Sequence, residues 1–312
     1  MYFPKNILKG SLLPFITVTL LFFACSKQET AQNSSYIFDL QGHRGSRGLM
    51  PENSLAAFEK ALELGVTTLE LDLAVSADSQ LVVSHEPWFS AAICTDSLGN
   101  AISEEEEKNH NIHAHTYQQI NRYDCGSKGN ARFPEQQKLA QQKPLLKEVI
   151  ALAEKYAAAN NTALPNFNIE IKSSPEGDGV YHPSPKVFSD LLHNFLQENL
   201  PKEKVNVQSF DVRVLQYWNE QYPDFTLAYL VWEENTVEGH LEILGFTPDI
   251  YSPAYQLLDK EKVEKLQQMG MQVIPWTVNE AKEMEKLLAW GVDGIITDYP
   301  DRALAFLESD QE

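Results

Sequence analysis

The feature that most constrains the fold is a regular alternation of short apolar, β-prone segments with helical or long connecting segments. Eight such strand segments follow one another along the chain. Strands separated by helices pair in parallel, because a parallel crossover needs a dozen or more residues. Eight units in about 270 residues predict an α/β fold, a (β/α)8 TIM-type barrel, with a doubly wound open sheet as the alternative. The predicted strands occupy residues 36–43, 66–75, 167–172, 204–210, 225–231, 248–253, 271–278 and 292–297.

The first 24 residues have the pattern of an export signal. Lys5 and Lys9 precede an almost wholly apolar run, which is shorter than the roughly 20 apolar residues of a membrane span. The segment from Leu21 to Cys25 resembles a bacterial lipobox, although Phe22 departs from the usual leucine-like residue. This resemblance implies cleavage before Cys25 and lipidation of that cysteine. An ordinary signal peptide and an anchor helix are the alternatives.

The predicted organisation is a lipoprotein signal peptide at 1–24, a flexible polar tether at 25–35 and a barrel domain at 36–312. We expect an exported, bacterial-type lipoprotein whose lipid anchor holds it on a membrane facing the periplasm or the cell surface. The full chain has a formal net charge of −19. Such an acidic body argues against a nucleic-acid partner, because nucleic-acid binding depends on neutralising phosphates. The oligomeric state is left open.

Polar side chains stand at the carboxyl end of one predicted strand after another. In a barrel these ends meet at one face, where the active site forms. The segment 41–54, QGHRGSRGLMPENS, adds three glycines and two arginines just after the first strand, a composition that indicates a small anion. The polar or aromatic strand-end residues are His43, Glu70, Asp72, Glu170, Lys172, Gln208, Trp276 and Asp298.

One further strand, 81–85, follows the second strand after too few residues for a parallel crossover. We therefore predict an extra antiparallel hairpin strand, with a two-residue turn at 78–79. That turn places Asp72 directly opposite His85, and alternation puts Glu70 on the same face as Asp72. The hairpin alone is thus expected to gather two carboxylates and an imidazole.

Three of these carboxylates have the chemistry of a metal site. Glu70, Asp72 and Glu170 offer hard oxygen ligands suited to Mg²⁺ or Ca²⁺. Burying them together without a cation would force some of them to protonate. The alternative is a set of structural ion pairs with Arg44 and Lys172.

Two histidines are expected to flank this cluster. His43 and His85 stand on separate strand ends and are candidates for a general acid–base pair, whereas a lone histidine is more often structural. Arg44 and Lys172 supply fixed positive charge for a phosphate. A cation, an acid–base pair and charged phosphate ligands are what hydrolysis of a phosphodiester needs.

The chain resembles the glycerophosphodiester phosphodiesterases in an ordered set of motifs that runs from residue 43 to about residue 300. The motifs are HRG, PEN, ELDLAVSADSQLVVSHE, IEIK, QSF, WTVN and GIITDYP. The resemblance implies a barrel of the phospholipase-C-like phosphodiesterase superfamily. It also implies that the carboxylates, histidines and cations just named hold one divalent cation, transfer protons and bind phosphate. The products would be glycerol 3-phosphate and an alcohol such as choline or ethanolamine, formed through a cyclic phosphate.

The sequence departs from that family's pattern in two places. Glu86 follows the second histidine, where the family often has aspartate. Residues 86–143 form an insert that is longer than in a minimal member, and we expect it to cover the site and to set the leaving-group preference. Cys94 and Cys125 lie within it, either as a disulfide or as two free thiols. Its three closely spaced histidines are expected on a surface loop rather than at a metal.

Gln208, Phe210 and Trp276 are expected to contact the substrate. Phe210 and Trp276 could pack against the glycerol carbons, and Trp276 could hold a quaternary ammonium by cation–π attraction. Core packing is the alternative for both aromatic residues. Two other functions stay open, namely a lysophospholipase D-like activity on lipid-sized diesters and a catalytically silent phosphodiester-binding lipoprotein.

Overall fold

The computed structural model describes residues 1–2 and 38–309. Most of the predicted signal peptide, the lipidation site Cys25 and the tether lie outside these described residues. Among the described residues, no helix is both long and apolar enough to cross a membrane. The strands are β1 (Asp39–Gly42), β2 (Thr68–Val75), β3 (Leu81–Val83), β4 (Asn166–Ile171), β5 (Val205–Ser209), β6 (Thr226–Val231), β7 (Ile250–Pro253), β8 (Gln272–Val273) and β9 (Gly294–Thr297). The helices are α1 (Leu55–Leu64), α2 (Tyr117–Ile120), α3 (Leu146–Asn160), α4 (Pro185–Asn199), α5 (Val212–Gln221), α6 (Val237–Leu244), α7 (Lys260–Gln268), α8 (Ala281–Ala289) and α9 (Pro300–Ser309).

Eight parallel strands form a nearly closed barrel. Neighbouring strands follow the order β8, β7, β6, β5, β4, β2, β1 and β9, and β3 pairs antiparallel with β2. Backbone hydrogen bonds of 2.9 Å from Asp293 to Val273 and from Ile296 to Pro275 join β9 to the segment around β8. The fold is therefore the predicted (β/α)8 TIM-type barrel with an added hairpin strand, and not an open sheet.

The strands are buried on both faces, which explains their long apolar runs. In β2, Leu69, Leu71 and Leu73 belong to the main core, which also contains residues of the surrounding helices. Successive side chains of a strand point to opposite faces. Glu70 and Asp72 therefore point into the barrel, where their carboxylates meet the carboxylate of Glu170 on β4.

The interior of the barrel has a polar side and an apolar side. Asn168 donates to the side-chain oxygens of Gln41, at 2.7 Å, and of Gln208, at 3.0 Å. Gln208 in turn donates to Glu70 at 2.7 Å, so this polar chain leads to the predicted site. The apolar side is formed by Ala228, Ile250, Ile274 and Ile296.

The hairpin between β2 and β3 turns through three residues, not the predicted two. The amide of Ser76 donates to the carbonyl of Gln80 at 3.1 Å, and Ser79 takes a left-handed φ of 58°. A three-residue turn that contains one left-handed residue is a common hairpin loop. Leu73 consequently pairs with Val83, one residue away from the predicted register.

The predicted pairing of Asp72 with His85 was wrong for this reason. Ser84 stands opposite Asp72, and its amide donates to the Asp72 carbonyl at 2.9 Å. Because β3 ends at Val83, His85 belongs to the connection that leaves the hairpin. His85 still faces the same cavity as Glu70, but this connection places it there rather than strand alternation.

Residues 86–143 form a lobe with little regular structure beside the barrel, and its α-helix has only four residues. The lobe has its own apolar cluster, which includes Phe89 and reaches the hairpin at Val82. A disulfide joins Cys94 to Cys125 within it. The lobe is therefore a packed structure and not a loose loop.

The three histidines of the lobe do not converge on one point. His110 Nδ1 lies 3.0 Å from the Tyr123 hydroxyl. His113 Nδ1 lies 2.9 Å from the carbonyl of Val75, and His115 bonds a different backbone carbonyl at 2.6 Å. Over residues 38–309, the one cluster of potential metal ligands lies elsewhere.

Candidate active site

The carboxylates of Glu70, Asp72 and Glu170 meet inside the mouth of the barrel. One oxygen from each lies within 4.8 Å of the others. The parallel register produces this approach, since Asp72 pairs directly with Glu170 on β4 and Glu70 lies two residues earlier on the same face. All three residues are buried, with at most 6% of any one exposed.

The donor set of this triad fits a hard divalent cation. Gln208 and the backbone amide of Arg44 donate to the two oxygens of Glu70, at 2.7 and 2.8 Å. Asn53 donates to Asp72 Oδ2 at 2.8 Å, whereas Asp72 Oδ1 is buried and has no hydrogen-bond partner. A buried charged oxygen without a partner is costly. A cation bound among the three carboxylates would satisfy it.

Glu70 and Glu170 hold protons more tightly than usual, whereas nearby positive charge outweighs burial and lowers the pKa of Asp72. Burial and the neighbouring Asp72 carboxylate raise the pKa of Glu70 well above its ordinary value. Burial also raises the pKa of Glu170 to about 8, against the attraction of Lys172. Lys172 Nζ lies 2.8 Å from Glu170 and 3.8 Å from Asp72. A divalent cation would favour the ionised carboxylates and so relieve their repulsion.

The turn after β1 brings His43 and Arg44 to this cluster. Arg44 and Gly45 both have left-handed backbones, with φ of 51° and 84°. A Cβ at Gly45 would lie 2.6 Å from a backbone carbon of Ala57, so only glycine fits where the turn crosses α1. This turn aims the Arg44 amide at Glu70.

His43 is held by a buried chain of barrel residues. Its Nδ1 lies 2.6 Å from Asp298 Oδ1, while Arg47 donates to both Asp298 oxygens at 2.8 and 3.0 Å. Asn279 also donates to Asp298, at 2.8 Å. Burial and the positive charge of Arg47 lower the pKa of His43 to about 4, in spite of Asp298. His43 is therefore neutral near pH 7, and its Nε2 is the nitrogen left for a substrate.

His85 is held by a shorter and more exposed contact. Its Nδ1 lies 2.7 Å from Oε1 of the next residue, Glu86. The side chains of His85 and Glu86 are 27% and 37% exposed, against 12% and 1% for His43 and Asp298. Burial and the nearby charge of Lys172 lower the pKa of His85, and the Glu86 carboxylate opposes this shift.

These groups surround one cavity of about 500 Å³ at the barrel mouth. The predicted site residues that line it are His43, Arg44, Glu70, His85, Glu170, Lys172, Gln208, Phe210 and Trp276. Asp72 belongs to the same carboxylate triad but does not line the wall, and neither do Cys94 and Cys125. A larger cavity of about 950 Å³ lies between α6 and α7 and contains none of these side chains.

The three predicted substrate contacts have different settings in this cavity. Gln208 donates a hydrogen bond to Glu70, so it orients the carboxylate of that residue. Phe210 is 36% exposed, and its ring meets that of Trp276 edge to face, with centroids 5.4 Å apart. Trp276 donates from Nε1 to the carbonyl of Ser252 at 2.9 Å and packs against the apolar interior. Trp276 therefore joins the core to the cavity wall.

Several residues around the site were not predicted from the sequence. Glu52 accepts from Arg44 Nη1 at 2.8 Å, and the Arg44 charge, acting against burial, lowers the pKa of Glu52 to about 2. Arg47, Glu52 and Asn53 all lie in the segment 41–54, but that segment does not reveal their partners. Asn279 lies in the WTVN motif, but the motif does not reveal that it binds Asp298, and Arg132 and Trp232 had no signal in the sequence.

The amino-acid sequence matches the model of the glycerophosphoryl diester phosphodiesterase family over residues 43–302. A glycerophosphodiester phosphodiesterase of Bacillus subtilis (strain 168) is 28% identical over 266 residues, with 83% of each chain covered. A lysophospholipase D of Homo sapiens is 26% identical over 300 residues, covering 86% of this chain and 85% of the relative.

Solved structures show the same barrel. A putative glycerophosphoryl diester phosphodiesterase from Silicibacter pomeroyi has a TM-score of 0.78 at 28% identity, over 88% of this chain and 94% of that one. An Oleispira antarctica phosphodiesterase, in complex with the product sn-glycerol-3-phosphate, has a TM-score of 0.69 at 21% identity, over 88% and 98%. The family match begins at His43 and ends in α9, so it spans the barrel and the site. The chain therefore belongs to the glycerophosphoryl diester phosphodiesterase family.

Proposed function

We propose that the chain uses a divalent cation to hydrolyse glycerophosphodiesters, such as glycerophosphocholine or glycerophosphoethanolamine, to glycerol 3-phosphate and an alcohol. Membership of the family makes the chain a phosphodiester hydrolase with a small-molecule glycerophosphodiester substrate. The observation that carries the proposal is the convergence of Glu70, Asp72 and Glu170 in one cavity with two histidines.

Glu70, Asp72 and Glu170 would hold one divalent cation, Mg²⁺ or Ca²⁺, which would neutralise negative charge on the phosphate oxygens. The buried Asp72 Oδ1, which has no hydrogen-bond partner, supports this assignment. Arg44 and Lys172 line the same cavity and would bind phosphate oxygens by charge-assisted hydrogen bonds.

The difference between the two histidines supports a first step in which His43 is the base. Neutral His43 accepts a proton at Nε2 from the glycerol 2-hydroxyl, and that oxygen bonds to phosphorus. The bond between phosphorus and the head-group oxygen breaks, and this oxygen takes a proton from His85. The products of this step are a cyclic phosphate and the free alcohol.

In the second step the two histidines exchange roles. A water molecule gives a proton to His85, and its oxygen bonds to phosphorus. The bond between phosphorus and the glycerol 2-oxygen breaks, and this oxygen regains a proton from His43. Glycerol 3-phosphate is released, and both histidines return to their starting protonation states.

Release of glycerol 3-phosphate from glycerophosphocholine tests the proposal. We expect EDTA to abolish release and Mg²⁺ or Ca²⁺ to restore it. His43→Ala and His85→Ala should lose activity, whereas His193→Ala should keep it, because His193 stacks on Tyr222 away from the cavity. If the double variant of His43 and His85 were as active as the wild type, these histidines would not be the acid and the base. If the wild type released no glycerol 3-phosphate, the chain would be a binding protein and not a hydrolase.

A second candidate function is lysophospholipase D-like cleavage of lipid-sized diesters. The active-site cavity shares Phe210, Leu230 and Trp232 with a smaller cavity of about 280 Å³ that reaches Ile243. Phe210, Trp232 and Ile243 are exposed apolar side chains, so an acyl chain could lie along them. Higher kcat/KM for lysophosphatidylcholine than for glycerophosphocholine would favour this function, and a Trp232→Ser variant should reduce that advantage.

We further propose that the chain is exported and lipidated at Cys25, with residues 25–35 as a tether for the barrel domain. The charged and apolar start of the sequence and its lipobox-like segment support this location. Incorporation of labelled palmitate into the wild-type chain, lost in Cys25→Ser, is the expected result. Equal labelling of both chains would contradict it.

A further inference from the structure

The lobe formed by residues 86–143 docks onto the turn after β1, next to the active-site cavity. Gln136 Nε2 donates to the carbonyl of Arg47 at 2.8 Å, and the amide of Gln137 donates to the carbonyl of Leu49 at 2.9 Å. Phe133 is buried in the same contact. The lobe is therefore held against the wall that carries His43.

The buried ring of Phe133 lies beside Arg132, an exposed arginine of the lobe. The guanidinium of Arg47 lies 4.7 Å from the centre of the Phe133 ring, and that of Arg132 lies 5.7 Å from it. The same ring packs edge to face with Tyr299, at 6.3 Å. Arg132 lines the active-site cavity together with Arg47.

Arg132 differs from the other cations of the cavity in its partners. Arg44, Arg47 and Lys172 each lie within 3 Å of a carboxylate, on Glu52, Asp298 and Glu170 respectively. Across residues 38–309, no carboxylate lies within 4 Å of the Arg132 guanidinium. The formal net charge of the whole chain is −19. An arginine without an acidic partner is thus an exception on the wall of this cavity.

We propose that Arg132 forms a second anion subsite, which binds a negatively charged group on the alcohol moiety of the substrate. This inference rests on the proposed function and names the substrate class within it, namely glycerophosphodiesters whose head group carries a carboxylate or a phosphate. The cations that would hold the phosphodiester have acidic partners, whereas Arg132 can give its full charge to a further anion. A cationic head group such as choline would gain no attraction at this position, so glycerophosphocholine would bind less tightly than a diester with an acidic head group.

The proposed subsite can be tested by measuring ligand affinity, which does not depend on turnover. Glycerophosphoserine and glycerophosphoethanolamine differ by one carboxylate, so they form a matched pair of ligands. Calorimetry with Mg²⁺ or Ca²⁺ on the full chain carrying His43→Ala, which slows hydrolysis, should show tighter binding of glycerophosphoserine. Adding Arg132→Gln should lower that preference about fivefold, as expected for the loss of one partly exposed charge pair.

Two further variants separate a specific contact from a general loss of charge. Arg122→Gln, in the same background, removes an exposed arginine of the lobe that does not line the cavity, and it should leave the preference unchanged. Arg132→Lys should keep part of the preference, because it retains the charge but not the planar fork.

A second pair of ligands separates carboxylate from phosphate. Glycerophosphoinositol 4-phosphate and glycerophosphoinositol differ by one phosphate, and Arg132→Gln should lower the preference for the phosphorylated member if the subsite takes phosphate. An equal ratio of affinities in both pairs with and without Arg132→Gln would overturn the inference. Failure of the wild type to release glycerol 3-phosphate from any diester would instead overturn the proposed function, since the affinity ratio does not depend on turnover.

Discussion

The two histidines of the active site occupy regions of the molecule that are built in different ways. His43 belongs to the closed barrel, and its partner Asp298 is 255 residues away and bonded to Arg47 and Asn279. His85 belongs to the connection that leaves the β2–β3 hairpin, and its partner Glu86 is the adjacent residue. One imidazole is thus fixed by tertiary structure, and the other by its own neighbour.

Burial lowers the pKa of both histidines, but the two lie in surroundings of different exposure. Burial lowers the pKa of His43 to about 4, so this side is ready to accept a proton. His85 is more exposed, and the partly exposed carboxylate of Glu86 opposes the lowering of its pKa.

Removal of the divalent cation should cause the largest loss of activity. This loss should not distinguish the His43 side of the site from the His85 side. EDTA is expected to bring the wild type, His43→Ala and His85→Ala to background, because a cation at the triad would supply several kcal/mol of transition-state stabilisation. The cation should also raise the Tm of the wild type, since it relieves repulsion within the triad. Asp72→Asn should weaken this thermal shift, and full activity of the wild type in EDTA would refute the metal assignment.

The choice of leaving group should separate the two histidines. With glycerophosphocholine, His43→Ala and His85→Ala should each lose about 10²–10⁴-fold in kcat/KM. A diester with p-nitrophenol as the leaving group departs without a proton, so it should restore His85→Ala toward the wild type. His43→Ala should stay impaired, because the attacking hydroxyl still needs a base. The reverse pattern would exchange the two roles.

Replacing the carboxylate partner of each histidine should lower kcat/KM by less than removing the histidine itself. The loss should be larger for Asp298 than for Glu86. Asp298→Asn should lower kcat/KM about 10–100-fold, because a buried partner sets the tautomer and orientation of His43. Glu86→Gln should cost only a few-fold, since an exposed pair contributes at most about 1 kcal/mol. Asp224→Asn is the matched control, because this exposed carboxylate pairs with Lys202 away from the cavity. Equal losses of kcat/KM in Asp298→Asn and Glu86→Gln would show that His43 and His85 depend equally on their carboxylate partners.

The smallest expected effect is a shift in the pH profile. Activity should fall on the acid side as His43 gains a proton near pH 4, and on the alkaline side as His85, whose pKa is lowered by burial, loses its proton. Glu86 raises the pKa of His85, so Glu86→Gln should move the alkaline limb of kcat/KM to lower pH by a fraction of a unit. Movement of the acid limb in this variant would contradict the assignment.

Most of the barrel could be predicted because each strand has a local signal. The observed strands lie within the predicted segments, apart from Asn166 at the start of β4, and β8 shows the main difference in length. Residues 271–278 read as one strand, yet β8 covers only Gln272–Val273. Pro275 has no amide to donate to a ladder, which shortens the regular pairing. The hairpin register was wrong because turn length decides it, and Ser79 carries no clear signal for a left-handed backbone.

The sequence predicted which residue types form the active site, but not the contacts that hold them. The residue types Glu70, Asp72 and Glu170 stand at strand ends, and a parallel barrel must gather those ends. Nothing local indicated that Arg47 would hold Asp298, or that Asn53 would reach Asp72. The sequence indicated an insert after Glu86, but not that Arg132 of this insert would line the cavity.

By itself the sequence determined the order of the elements and the chemical groups at the strand ends, because both follow from short-range periodicity and residue type. Only the tertiary structure decided which groups touch, which of them lose water and which imidazole is held rigidly. Barrel closure and docking of the lobe join residues far apart along the chain. Desolvation and charge pairing at those junctions then set the protonation of the site.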